Sequence, residues 1–149
     1  MNKIVTLCLL AVIIGSVPVY AADSGNATIK HQIQNMNPSV YSEIKNTFTQ
    51  IQNASPDISN DINKLKADFM QQDNLQITDI VKNSDVQNLI ADILQNKNVR
   101  SQIHSLLQNK GVQDEINKLM QDKDIQTAAN ILMQNKEING AVNEIINGK

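Results

Sequence analysis

Between residues 83 and 149 the apolar positions recur every thirteen residues. Aligned on one valine or isoleucine, the units read NSDVQNLIADILQ, NKNVRSQIHSLLQ, NKGVQDEINKLMQ, DKDIQTAANILMQ and NKEINGAVNEIIN, anchored at Val86, Val99, Val112, Ile125 and Ile138. Within a unit the apolar residues fall at steps 0, 4, 7 and 8, as in Val86, Ile90, Ile93 and Leu94, with Leu89 added at step 3. That is the spacing of one buried helix face. A single long helix cannot carry the pattern, because at about 100° per residue thirteen residues overshoot whole turns by roughly 220° and the stripe would swing to a new side at each unit. A supercoil needs a repeat near seven or eleven. Each unit is therefore predicted to be a short helix, broken at its end.

The joints carry matching signals. Asn96-Lys97-Asn98, Asn109-Lys110-Gly111 and Asp122-Lys123-Asp124 lie between units. Asparagine tolerates the left-handed conformation that ends a helix, and lysine there complements the negative end of the preceding helix. Asp85, Asn98 and Asp124 are expected to cap the next helix, with Gly111 and Glu137 as weaker versions of the same position. A helix of about ten residues is marginal alone, so the units must lean on one another. The expected architecture is all-α: a compact bundle or spiral of short stacked helices, frayed at its first and last units.

Two longer helices are predicted ahead of the repeat. Asn37-Pro38 is a cap followed by proline in the first turn, and Val40, Ile44, Phe48 and Ile51 mark one face, with Tyr41 beside it. Ser55-Pro56-Asp57 repeats the start signal before Ile58, Ile62, Leu65 and Phe69. Ile77, Ile80 and Val81 match steps 4, 7 and 8 of a degenerate unit over 73–82. Alternating β-branched runs, the mark of strands, are absent. Residues 23–36 are small and polar, then weakly patterned at Ile29, Ile33 and Met36, which reads as a flexible start; residues 37–149 form one helical domain.

Residues 1–22 read as a secretory signal peptide: Lys3, an apolar run from Ile4 to Val17, and Val19-Tyr20-Ala21 as a small-residue cleavage site. The chain is thus expected to be exported, periplasmic or secreted. The sole cysteine, Cys8, lies in that run, so the processed chain has no disulfide and no thiolate chemistry. Loss of Lys3 takes the basic residues from 13 to 12 against 15 acidic, a net charge of −3, which argues against a nucleic-acid partner.

Candidate chemistry is sparse. His31 and His104 are the only histidines and form no zinc-like cluster with acids. His104 lies near Ser101 and Ser105, but no orienting acid or nucleophile turn accompanies it, and Asn117, Asn130 and Asn143 take its place in later units. Asp122 and Asp124 begin like a calcium loop, yet Met133 stands where the closing glutamate belongs, and capping explains them better. No catalytic residue, metal site or cofactor is expected. Two sets of residues are candidates for binding. Lys97, Lys110, Lys123 and Lys136 recur at the repeat period, with Lys149 after them, and could meet anionic headgroups along one edge; helix-end complementation is the competing reading. Met120 and Met133 replace Leu94 and Leu107 of earlier units, and Ala128 and Ala129 replace larger or polar residues. These could line an adaptable groove for a partner helix or acyl chain, or serve ordinary packing.

The units from Asn96 to Gln108 and from Asn109 to Gln121 resemble the short helical repeats of co-chaperones and ubiquilin-type shuttle proteins, which also run Asn, a turn residue, then an apolar-Gln helix ending in paired large aliphatics. The resemblance implies a Met- and Leu-lined groove for amphipathic helices. The whole chain also looks like small helical proteins exported by Gram-negative bacteria, some of them secreted effectors. The expected function is a non-enzymatic interaction protein that binds a protein partner through a helical surface or groove. The alternative is binding of anionic lipid or a hydrophobic ligand. The oligomeric state is open.

Overall fold

The computed structural model describes residues 2–16, 35–70 and 76–148. The described elements are α1 (Asn2–Ser16), α2 (Pro38–Ala54), α3 (Pro56–Met70), α4 (Ile77–Lys82), α5 (Ser84–Gln95), α6 (Lys97–Gln108), α7 (Lys110–Leu119), α8 (Lys123–Met133) and α9 (Lys136–Ile146). No strand occurs among the described residues, and the molecule is an all-α bundle of short helices. The flexible start expected over 23–36, the cleavage site and the first residues of the degenerate unit lie largely outside the described residues.

The repeat folds as predicted, one helix per unit. All five anchors are buried, as are Ile90, Ile103, Ile116 and Leu132. The last unit is not frayed: Ile138, Ala141 and Val142 are buried in α9, and only Ile146 at its end stands out, 52 % exposed. The two longer helices also follow their start signals. The side chain of Asn37 accepts from the Ser39 amide, and Ser55 Oγ accepts from the Asp57 amide.

The joints differ from expectation. The capping residues lie two positions earlier than the sequence reading placed them, at Asn83, Asn96, Asn109, Asp122 and Asn135. Oδ1 of Asn96, for example, accepts from the amides of Asn98 and Val99 at 3.0 and 3.2 Å. Asp85, Asn98 and Asp124 are thus the recipients of the cap, and Gly111 and Glu137 sit at the same place inside the first turn. No non-glycine residue among those described has positive φ. Asn83, Asn96 and Asn109 are extended (φ −66 to −81°), and each ends one helix while starting the next. A left-handed stop would satisfy only the outgoing carbonyls; an extended asparagine satisfies two incoming amides instead.

The outgoing carbonyls are met by a second device. The residue after each anchor reaches back over the joint: Gln87 to Val81, Gln113 to Leu107, Gln126 to Met120 and Asn139 to Met133, each side-chain amide donating to a carbonyl oxygen. Arg100 Nε does the same to Leu94. The thirteen-residue period therefore encodes a complete joint, one side chain for the amides and one for the carbonyls.

The units do not form a straight stack. α4 packs on α8 and α5 on α9, while consecutive α7 and α8 are not a closely packed pair, so the row of helices curls back on itself. α2 and α3 close the remaining side, against α6, α7 and α5. At the centre lies α1, which packs against α2, α3, α5, α6, α7 and α8. Every residue from Ile4 to Val12 is buried. A helix apolar on all sides has to be enclosed on all sides, by protein or by lipid, and here the spiral encloses it.

Gly140 lies in the body of α9, and a Cβ there would meet nothing within 4 Å. Gly140→Ala is expected to raise stability by about 0.5–1 kcal/mol, read as a shift in the urea midpoint with unchanged m. Gly111 is different, because a Cβ there would lie 3.0 Å from Val40 Cγ2 of α2. The close approach of α7 to α2 explains why this unit lacks the aspartate or asparagine of its neighbours.

Candidate binding site

An apolar surface that could receive another molecule is the seat of α1. Ile44, Phe48 and Ile51 project from successive turns of α2, because steps of three and four keep them on one face. Ile93 of α5 and Ile103 and Leu106 of α6 face them, and Leu7, Cys8 and Ala11 of α1 fill the space between. The free space left is about 10 Å³, at the lower limit for a single water. Among the described residues, Thr47 is the one polar side chain of the lining, and within the core Thr6 Oγ1 has no hydrogen-bond partner. Burial pushes the Cys8 thiol up to about 12, so it stays protonated and behaves as a small apolar side chain.

The residues singled out from the sequence are dispersed. Lys97, Lys110, Lys123 and Lys136 are each the first residue of a helix, and each is exposed. They follow the cap instead of ending the preceding helix, whose last carbonyls are met by Gln, Arg or Asn. Ala128 and Ala129 are buried on α8, a helix packed against α4 and α1; they permit close approach there and offer no open surface. Met120 and Met133 are half-buried against the core, and their carbonyls take the side chains of Gln126 and Asn139. His104 is exposed and pairs with Gln108 at 3.0 Å, beside an open depression lined by Arg100, Ser101, Ser105 and Ile145. Arg100 pairs with Glu144 at 2.8 Å.

No family model, curated protein or solved structure matches the chain. The site has to be read from its own chemistry.

Two features escaped the sequence reading. Glu115 occupies step 3 of its unit, where other units place Leu89, Ala128 and Ala141, and is only 8 % exposed. Its carboxylate accepts from the Asn37 amide at 3.1 Å, tying α7 to the N-terminus of α2, with Lys118 Nζ at 3.8 Å. An acid at a core step was the available signal.

The second feature is a pair of carboxyl contacts between α3 and α5. Asp92 faces Asp61, and Asp68 bonds Asp85. Burial first, then the hydrogen bond and charge of Asp61 and the charges of Asp57 and Glu137, push Asp92 up to about 7. The bond to Asp85 chiefly raises Asp68, followed by burial and the Asp85 charge, with Lys64 opposing. Both acids therefore hold protons more tightly when folded than the about 3.9 of an unfolded aspartate. Their contribution is fully present below about pH 4 and is lost as the pH rises through about 7 at Asp92. Urea titrations are expected to show a stability loss on the order of 1 kcal/mol between pH 5 and 8, reduced by solvent screening at this partly exposed site. Asp92→Asn is expected to flatten that slope.

Proposed function

We propose that the protein is exported to the periplasm or the medium, loses residues 1–22, and works as a non-enzymatic interaction protein that binds a protein partner through an apolar groove in its helical spiral, in the manner of a secreted effector. The observation that carries this reading is the seat of α1. The segment that reads as an export signal also plugs an apolar slot walled by α2, α5 and α6, so processing would uncover that slot. The likeness of the units to co-chaperone and ubiquilin-type repeats supports the same reading, because those repeats imply a groove for helices. The test is the mass of the chain recovered from periplasm and medium of an exporting host. A chain beginning after Ala21 or Ala22 is expected; a chain in the cytoplasm that retains Met1 to Ala22 would overturn the reading.

One observation favours a second reading, contact with anionic lipid. Four lysines stand exposed at helix N-termini, where their own helix dipole disfavours a cation by about 0.3–1 kcal/mol. Flotation of the processed chain with anionic, but not neutral, vesicles at low salt is the expected result for that reading. Absence of flotation would remove it.

A further inference from the structure

We infer that the seat of α1 takes one particular kind of occupant once α1 has gone: a single uncharged helix, apolar on every side and about ten residues long, supplied by another protein. This rests on the processing proposed above and names the partner class.

The occupant already present defines the requirements. Residues 4–12 are IVTLCLLAV, without a charge, and all are buried. Walls on α2, α3, α5, α6, α7 and α8 surround the helix, so a guest with a polar stripe would turn that stripe into an apolar wall, where unpaired polar groups are costly. The groove implied by the co-chaperone likeness takes amphipathic helices; this one selects segments of the kind otherwise enclosed by lipid. A helix with side chains is about 10–12 Å wide. A single acyl chain is much thinner and would leave voids along the walls, which cost packing free energy. A second processed copy is also a poor guest, since α2 to α9 each carry charged residues.

The same geometry makes α1 an internal competitor. Tethered to the chain, it faces its seat at an effective concentration in the millimolar range, so the uncut protein is closed to such partners and the cut protein is open.

The test uses the uncut chain with a specific protease site inserted between residues 22 and 35, purified folded, then cut and stripped of α1. The probe is a fluorescein-labelled peptide carrying residues 4–12 between terminal lysines, read by polarisation. The cut chain is expected to bind it at least about tenfold more tightly than the uncut chain does, and at least about tenfold more tightly than it binds the same peptide with Leu9→Asp. If the stripped chain is unfolded, the probe is expected to restore its helical circular dichroism. Equal binding by cut and uncut chains would overturn the inference, as would no binding by a folded cut chain or no recovery of an unfolded one. Displacement of the probe by palmitate, or capture only by vesicles, would overturn it in favour of lipid. Host-cell material that keeps residues 1–22 would instead defeat the processing step, leaving the peptide result to stand separately.

Discussion

Aspartate in place of Leu9 is expected to lower the stability of the uncut chain by about 4 kcal/mol or more, enough to leave much of it unfolded at 37 °C. Leu9 is 1 % exposed at the centre of the bundle. Its loss removes a transfer term of about 1.5–3 kcal/mol and puts a carboxylate in the apolar core, a buried charge costing several kcal/mol more unless it takes up a proton. Against a total of about 5–15 kcal/mol for a typical domain, one such change is severe. The same substitution in an ordinary cleaved leader would affect export and leave the processed fold untouched. Urea denaturation of the uncut chain separates these outcomes, because only a seated α1 couples Leu9 to the midpoint.

Alanine at Asn96, Asn109 and Asn135 together is expected to cost about 3 kcal/mol, near one per cap. Each side chain accepts from first-turn amides of the following helix. Two of them also bridge elements: Asn109 Nδ2 donates to Glu43 of α2 and Asn135 Nδ2 to Gln87 of α5, both at 2.9 Å. Helices this short do not survive on propensity, so the joints decide whether the chain breaks where the spiral needs it to. Single variants are expected to add nearly independently, as distant sites do. Alanine at Asn98, which donates to a cap without providing one, is the control and is expected to change stability by less than about 0.5 kcal/mol.

What could be read in the sequence follows from which interactions are local. One helix per unit, the buried anchors and the starts at Asn37 and Ser55 all rest on residues within a few positions of one another, and the structure has them. The caps were misplaced by two residues because Asn96 and Asn98 are chemically equivalent; only the backbone shows which is extended. The pattern also concealed the reach of Gln113 to Leu107, because a glutamine beside an anchor looks like any solvated polar residue. Non-local features were out of range. Nothing near Glu115 in the chain points to Asn37, and nothing in α3 alone announces that Asp61 will face Asp92. The apolar run from Ile4 to Val17 reads as an export signal in the sequence, while the burial of Ile4 to Val12 inside the spiral does not show there, since enclosure by protein and enclosure by membrane ask for the same residues. The lysines stand out by their period and the methionines by replacing leucines, and in this fold both mark position along the spiral and say little about shared surface.

The most direct test of the account is hydrogen exchange of the uncut chain, resolved to segments. If α1 is the plug, amides of residues 4–12 are protected as strongly as those of α5 and α8 and open with them, in one global event. Rapid exchange throughout residues 4–12, beside a still-protected α5 and α8, would contradict it.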